Sequence, residues 1–184
     1  MREKLLDAAQ TLVQDRGLDA VSFQDLANAV GLRKPSVFHY FSSKDALAES
    51  LMERCRATYG AHYREILESG STAPEKLRAI AAVFEKNLRK DRICLLTALG
   101  SSWTGFSEKL KGELKGTSEA SVDTYTRIFE QGRNENTLRF AGEPRDAATA
   151  FMGMLQGLQV LARSEGEHEA FSPAVDSYIK SISI

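Results

Sequence analysis

The chain reads as an all-α fold of nine helices, on three observations. Apolar residues recur at three- and four-residue spacing in segment after segment, which is the period of one helix face. No segment alternates apolar and polar residues as a half-buried strand would. Gly, Pro, Ser and Thr fall at the segment ends, where they start and stop helices.

Helix 1 is expected over about 2–15, with Leu5, Leu6, Ala9, Leu12 and Val13 in one stripe and Gly17 as its stop. Ser22 is a natural N-cap for helix 2, and Asp25 three residues on completes the S-x-x-D form of a capping box. Phe23, Leu26, Ala27 and Val30 give that helix its apolar face, and Gly31 ends it. Pro35 sits just inside helix 3, where its missing N–H costs little. Val37 and Phe41 anchor helix 3 to the core. Ser43 can cap helix 4, which runs from Lys44 to about Glu68 and has Gly60 as a possible kink. The stretch 69–74 is the clearest linker. Pro74 opens helix 5, whose apolar side holds Leu77, Ile80, Ala81, Phe84 and Leu88. Helix 6 starts near Ile93 or Cys94 and is short, because Gly100 and Gly105 bracket Trp103. Helix 7 runs from Ser107 to Gln131, although Gly112 and Gly116 weaken it. A loop over 134–144 leads to helix 8, about 145–163, and helix 9, about 173–181.

A capped helix, a glycine turn and a polar-faced second helix make a helix-turn-helix, which places its second helix in the DNA major groove. The net charge of −1 gives no bulk basic footprint, and residues 1–56 carry eight Lys/Arg against eight Asp/Glu. DNA affinity must then come from a few placed cations. Arg33, Lys34 and Lys44 cluster around helix 3. In helix 8, Phe151, Met154, Leu155, Leu158 and Leu161 cover a broad side, while Ala150, Gly153 and Gly157 leave a bare strip. Helix 9 offers Val175, Tyr178, Ile179 and Ile182. These faces suggest a homodimer made by a four-helix bundle through Phe151, Leu155, Leu158, Tyr178 and Ile179. The alternative is that both helices complete the monomer's core. A major-groove reader favours the dimer, because it normally needs two half-sites.

At these residues the chain resembles the TetR family of bacterial transcriptional regulators. The match lies in Ala8-Ala9…Leu12…Gly17, Val21-Ser22-Phe23-Gln24-Asp25-Leu26-Ala27, Val30-Gly31-Leu32, Pro35-Ser36-Val37-Phe38-His39-Tyr40-Phe41 and Lys44-Asp45-Ala46-Leu47. The resemblance implies a helix-turn-helix domain over 1–46 and a ligand-binding and dimerisation domain over 47–184. It implies an operator-bound dimer, released by a small-molecule or electrophile effector. Carried over by position, Ser22, Ser36, Tyr40 and Lys44 are the phosphate-contacting set, and Gln24, Lys34, Pro35, Phe38 and His39 face the groove. The chemistry agrees: helix N-termini favour phosphate, Lys pairs with guanine and Gln with adenine. Phe38 stands where the family often has tyrosine, so packing is an equal alternative there.

The ligand cavity of that fold draws on helices 4 to 8, so Tyr59, His62, Phe84, Trp103, Phe106, Tyr125 and Phe129 are the candidate lining, with a neutral or weakly polar ligand expected. The stretch Arg92-Ile93-Cys94-Leu95-Leu96-Thr97-Ala98-Leu99-Gly100 resembles a TetR branch with a cysteine at the start of helix 6, some members of which, such as NemR-like repressors, respond to electrophiles and oxidants through that cysteine. A helix N-terminus and nearby Arg89, Lys90 and Arg92 would favour the Cys94 thiolate. A small buried hydrophobe is the alternative role.

Other function classes find little here. The histidines at 39, 62 and 168 form no triad or metal spacing, and no nucleophile elbow or phosphate-cradling glycine loop occurs. No catalytic residue, cofactor or metal is expected. Cys55 and Cys94 have no metal-ligand spacing. No apolar run is long enough for a membrane or a signal peptide, so a cytoplasmic location is expected. The remaining rival is a helical interaction or ligand-binding module without DNA binding.

Overall fold

A computed structural model describes all residues, Met1–Ile184. Nine α-helices follow in order: α1 (Arg2–Arg16), α2 (Phe23–Val30), α3 (Lys34–Phe38), α4 (Lys44–Glu68), α5 (Ala73–Leu88), α6 (Leu95–Gly100), α7 (Glu108–Asn134), α8 (Pro144–Glu165) and α9 (Phe171–Ile182). Short 3₁₀ turns precede α7 and α9, at Trp103–Gly105 and His168–Ala170. Helix α4 runs unbroken through Gly60, and α7 through Gly112 and Gly116, whose open surroundings leave nothing for a side chain to meet.

The chain forms two compact units. The first joins 1–58 to 94–117, and α4 and α7 each contribute residues to both. In it α1 packs on α2 and α6, and α2 packs on α3. Leu5, Leu6, Ala9 and Val13 of α1 are buried, as are Leu26, Val37, Phe41 and Leu47. Arg54 of α4 clamps α1: its guanidinium donates to the Asp7 carboxylate (2.6 Å), the Leu6 carbonyl (3.3 Å) and the Gln10 side chain.

The second unit joins 59–93 to 118–184. Here α5 packs on α8 and α9. The fully buried Gln159 of α8 donates to the Phe84 carbonyl of α5 (2.8 Å). Buried Lys76 donates to the Leu67 carbonyl (2.7 Å) and the Gln131 side chain (2.9 Å), which satisfies a carbonyl in the last turn of α4. Tyr63, Tyr125, Phe151 and Phe129 form a chain of edge-to-face rings with centroids about 6 Å apart. Gly132 lies where α7 meets Leu138 and Ala73, and a Cβ there would stand 2.4 Å from Leu138 Cδ1. The loop after α7 is tied down: the Arg139 N–H donates to the Ile182 carbonyl (2.7 Å), and Leu138 bridges Ser183.

One expectation about α8 and α9 is corrected. Phe151, Leu155 and Ile179 are fully buried inside their own chain, so they cannot meet a second copy. The apolar side of α8 is two faces. Residues 148, 151, 152, 155, 159 and 162 point inward, whereas Ala150, Gly153, Gly157 and Leu161 are exposed, and Met154 and Leu158 half-buried. That outward stripe recurs at three- and four-residue spacing, and a Cβ at Gly153 or Gly157 would meet nothing within 4 Å. Tyr178 of α9 is half-buried.

Candidate nucleic-acid interface

The helix-turn-helix is built by its local sequence. Ser22 Oγ accepts from the Asp25 N–H (3.2 Å), and the Asp25 carboxylate accepts from the Ser22 N–H (2.8 Å) and hydroxyl (2.7 Å). These donors, helped by Arg16 at 3.5 Å, hold the Asp25 carboxyl below its ordinary range. Gly31 adopts φ 70°, a left-handed conformation that costs a glycine nothing, and the Leu32 N–H reaches back to the Ala27 carbonyl (2.8 Å). The chain thus turns sharply into α3, with Arg33 as N-cap and Pro35 in the first turn.

Val37 and Phe41 point inward and leave the predicted reading residues outside. Gln24, Arg33, Lys34, Pro35, Phe38, His39 and Tyr40 are exposed, and Ser36 and Lys44 half-buried. Phe38 is packed on one side and open on the other. Its ring meets Phe23 edge-to-face at 4.8 Å, yet about half of the residue (49%) remains exposed. Two other side chains are already engaged. The single hydroxyl proton of Ser22 is donated to Asp25, and the Gln24 amide donates to Asn28 (2.8 Å).

The charges explain how a neutral N-terminal segment can still present a positive face. Arg2, Arg16, Arg54 and Arg56 each pair with a carboxylate: Glu3, Asp25, Asp7 and Glu113. Arg33, Lys34 and Lys44 have no carboxylate partner. Lys44 instead donates to the main-chain carbonyls of Leu18 (3.2 Å) and Asp19 (3.0 Å), which leaves one of its three N–H donors over. The cations left unneutralised near α3 are the three singled out from the sequence.

Sequence reasoning missed the neighbours of Lys44. The hydroxyl of buried Ser102 donates to the Asp19 carboxylate (2.7 Å), and the Ser107 N–H donates to the Asp45 carboxylate (2.8 Å). These contacts span 83 and 62 residues, and no local pattern marks them.

The candidate ligand-lining residues are divided between the two units. Trp103, exposed with Lys111 near its ring face, and buried Phe106 belong to the first unit. Tyr59, His62, Phe84, Tyr125 and Phe129 belong to the second. There Phe84, Tyr125 and Phe129 are packed core, half-buried Tyr59 lies 3.5 Å from Asn87, and exposed His62 faces Glu65. A groove of about 200 Å³ runs between α5 and α9, lined by Arg78, Ala81, Glu85, Phe171, Ser172 and Val175.

Cys94 is the N-cap of α6, as expected, and is half-buried. Burial outweighs the backbone N–H groups of Leu96 and Thr97 and pushes the thiol up. Burial, with Cys94 nearby, pushes Cys55 up to about 12. No group of His, Cys, Asp and Glu side chains could hold a metal ion, and no helix is long and apolar enough to cross a membrane.

Known proteins share this architecture. Residues 5–51 match the family of bacterial regulatory proteins described as the tetR family. The HTH-type transcriptional repressor NemR of Escherichia coli K12 is 25% identical over 187 residues, across 98% of this chain and 92% of its own. Its reduced-form crystal structure superposes with a TM-score of 0.80, covering 100% of this chain and 97% of that one. A TetR-family regulator from Agrobacterium tumefaciens superposes with a TM-score of 0.93 at 25% identity, again over 100% and 97%. With the capped helix-turn-helix, the cations beside α3 that lack a carboxylate partner and the nine-helix order, these likenesses make the chain similar to the TetR family of transcriptional regulators, most directly over residues 5–51.

Proposed function

We propose that the protein is a sequence-specific DNA-binding repressor, released from a palindromic operator by an effector. The observation that carries this reading is the exposed α3 surface with its three unneutralised cations, in a segment whose other arginines are paired. Arg33, Lys34, His39 and Tyr40 supply donors, and Pro35 and Phe38 supply apolar contact for a thymine methyl. Two copies joined along Ala150, Gly153, Met154, Gly157, Leu158 and Leu161 of α8, with Tyr178 of α9, present two such surfaces to two half-sites. Small residues in that stripe let the helices approach closely.

An electrophoretic shift with the DNA flanking its own gene tests the reading. A sequence-preferring complex is expected. Its absence even at low salt would leave a helical module without DNA binding. Lys44→Ala is expected to weaken binding to all sequences and to lower the salt slope by about 1 per protomer. Changing Gln24 or Lys34 is expected to alter preference at particular bases, by roughly 1–3 kcal/mol each.

Release is a population shift in which the effector favours a form with α4 displaced, so that the two reading helices no longer match both half-sites. Such coupling is typically about 1–3 kcal/mol. A small-molecule effector is favoured over direct attack by Cys94, whose half-buried side chain and raised thiol pKa both work against a reactive thiolate. Cys94→Ser is therefore expected to leave release by peroxide or quinone unchanged in the shift assay. Loss of an oxidant response in that variant would establish Cys94 as the trigger.

A further inference from the structure

We propose that the segment Ser102–Ser107 is a staple that positions Lys44 for its phosphate contact, and that Ser102 and Asp19 are positioning residues for DNA binding. The inference rests on the DNA-binding reading above and assigns a new part of it.

Lys44 lies at the start of α4, and two peptide stretches hold it. Its ammonium donates to the carbonyls of Leu18 and Asp19 in the turn between α1 and α2. The next residue, Asp45, accepts from the Ser107 N–H (2.8 Å) and so caps the N-terminus of α7. The Asp19 carboxylate in turn accepts from the Ser102 hydroxyl (2.7 Å). Ser102 and Ser107 thus bracket one short segment that grips both the carbonyl-bearing turn and the first turn of α4. Ser102 and Phe106 are each 7% exposed, while Trp103, Thr104, Gly105 and Ser107 are exposed, so the segment is anchored to the unit at two buried side chains. All four partners belong to the same compact unit.

The physical consequence concerns direction. A lysine on a flexible stem is a point charge with little geometric preference. Two fixed carbonyls take two of its three donors and aim the third. The carbonyls are fixed only if the turn is fixed. The sole side-chain anchor on Asp19 is a hydroxyl from a buried serine, and hydrogen bonds to a charged acceptor are the stronger kind. Moving the 102–107 segment therefore redirects Lys44 without touching α3.

Binding of a labelled random-sequence duplex across about 50 to 200 mM salt tests this, because non-specific affinity reads phosphate contacts alone. Ser102→Ala changes no charge. It is expected to lower the salt slope by about 0.9 per protomer and to weaken binding about eightfold per lost contact at 0.1 M salt, as Lys44→Ala does. Combining the two changes is expected to add nothing further. Ser101→Ala, which removes only a hydroxyl donating to the Ala98 carbonyl, is expected to bind as wild type does. Asp19→Ala provides the second arm: raising the net charge by one should tighten binding, whereas loss of the staple weakens it. A wild-type slope in Ser102→Ala, additive losses in the double variant, or tighter binding by Asp19→Ala overturns the staple while leaving DNA binding intact. Failure of the wild-type protein to bind any duplex overturns the DNA-binding reading itself, and the staple with it.

Discussion

Replacing Gly132 with alanine is expected to destabilise the fold by about 2 kcal/mol, read as a lower denaturant midpoint with an unchanged slope. A Cβ at this position would sit 2.4 Å from Leu138 Cδ1, 2.5 Å from Leu138 Cγ and 2.9 Å from Ala73 Cβ. Neither neighbour can retreat. Leu138 is 3% exposed and sits in a loop tied to the C-terminal residues Ile182 and Ser183, and Ala73 is fully buried at the start of α5. Overpacking of this kind typically costs about 1–3 kcal/mol, which outweighs the gain of up to about 1 kcal/mol from alanine's better helix propensity. The same substitution at Gly112 or Gly116 in α7 is expected to have the opposite sign, because nothing lies within 4 Å of the added methyl. A stabilising Gly132→Ala would show that α7 and the following loop are not in close contact.

Phe151→Ala is the second large effect, at about 3–5 kcal/mol. The ring is fully buried, and Tyr125, Phe129 and Tyr178 each stand with centroids 6.0 Å away. Removing it opens a cavity in the middle of the aromatic chain, and three neighbours lose contacts at once. Folded domains are stable by only about 5–15 kcal/mol, so a large part of the margin goes. The cavity lies within one chain, so the loss is expected to be the same at low and high protein concentration. Leu161→Ala, on the outward stripe of α8, is expected instead to cause a loss that depends on concentration, largest where the wild-type dimer forms and vanishing on dilution to monomer, as mass action requires of an association contact. Equal concentration dependence in both variants would contradict the division of α8 into an inner and an outer face.

That division marks where sequence reasoning stopped. The helix-turn-helix was legible because its determinants are local. The Ser22–Asp25 capping box, the left-handed Gly31, the early Pro35 and the spacing of Val37 and Phe41 all act within a few residues. Helix ends likewise fell within two or three residues of their sequence signals, since capping is a short-range interaction. Burial direction on α8 was not legible, because apolar residues at 150–161 surround most of the helix and periodicity cannot say which side meets its own chain. The aromatic residues at helical spacing had the same ambiguity: Tyr125 and Phe129 pack on other rings, the commoner role at that spacing, although it also permits a cavity wall. For Cys94 the sequence showed neighbouring cations but not burial, and burial is the larger effect. The bonds from Ser102 and Ser107 to Asp19 and Asp45 bring together residues that no sequence window contains.

The first compact unit is sewn from two stretches, 1–58 and 94–117, and this limits how the protein can be re-engineered. Transplanting residues 1–46 onto another sensor to make a chimeric regulator would leave Asp19 and Asp45 without Ser102 and Ser107. It would also open to water the face of α1 that α6 covers. A graft that brings 94–117 along preserves both. The interchangeable part of this protein is therefore not a contiguous cassette, and hybrids cut at the conventional boundary should be judged against ones that carry the second stretch.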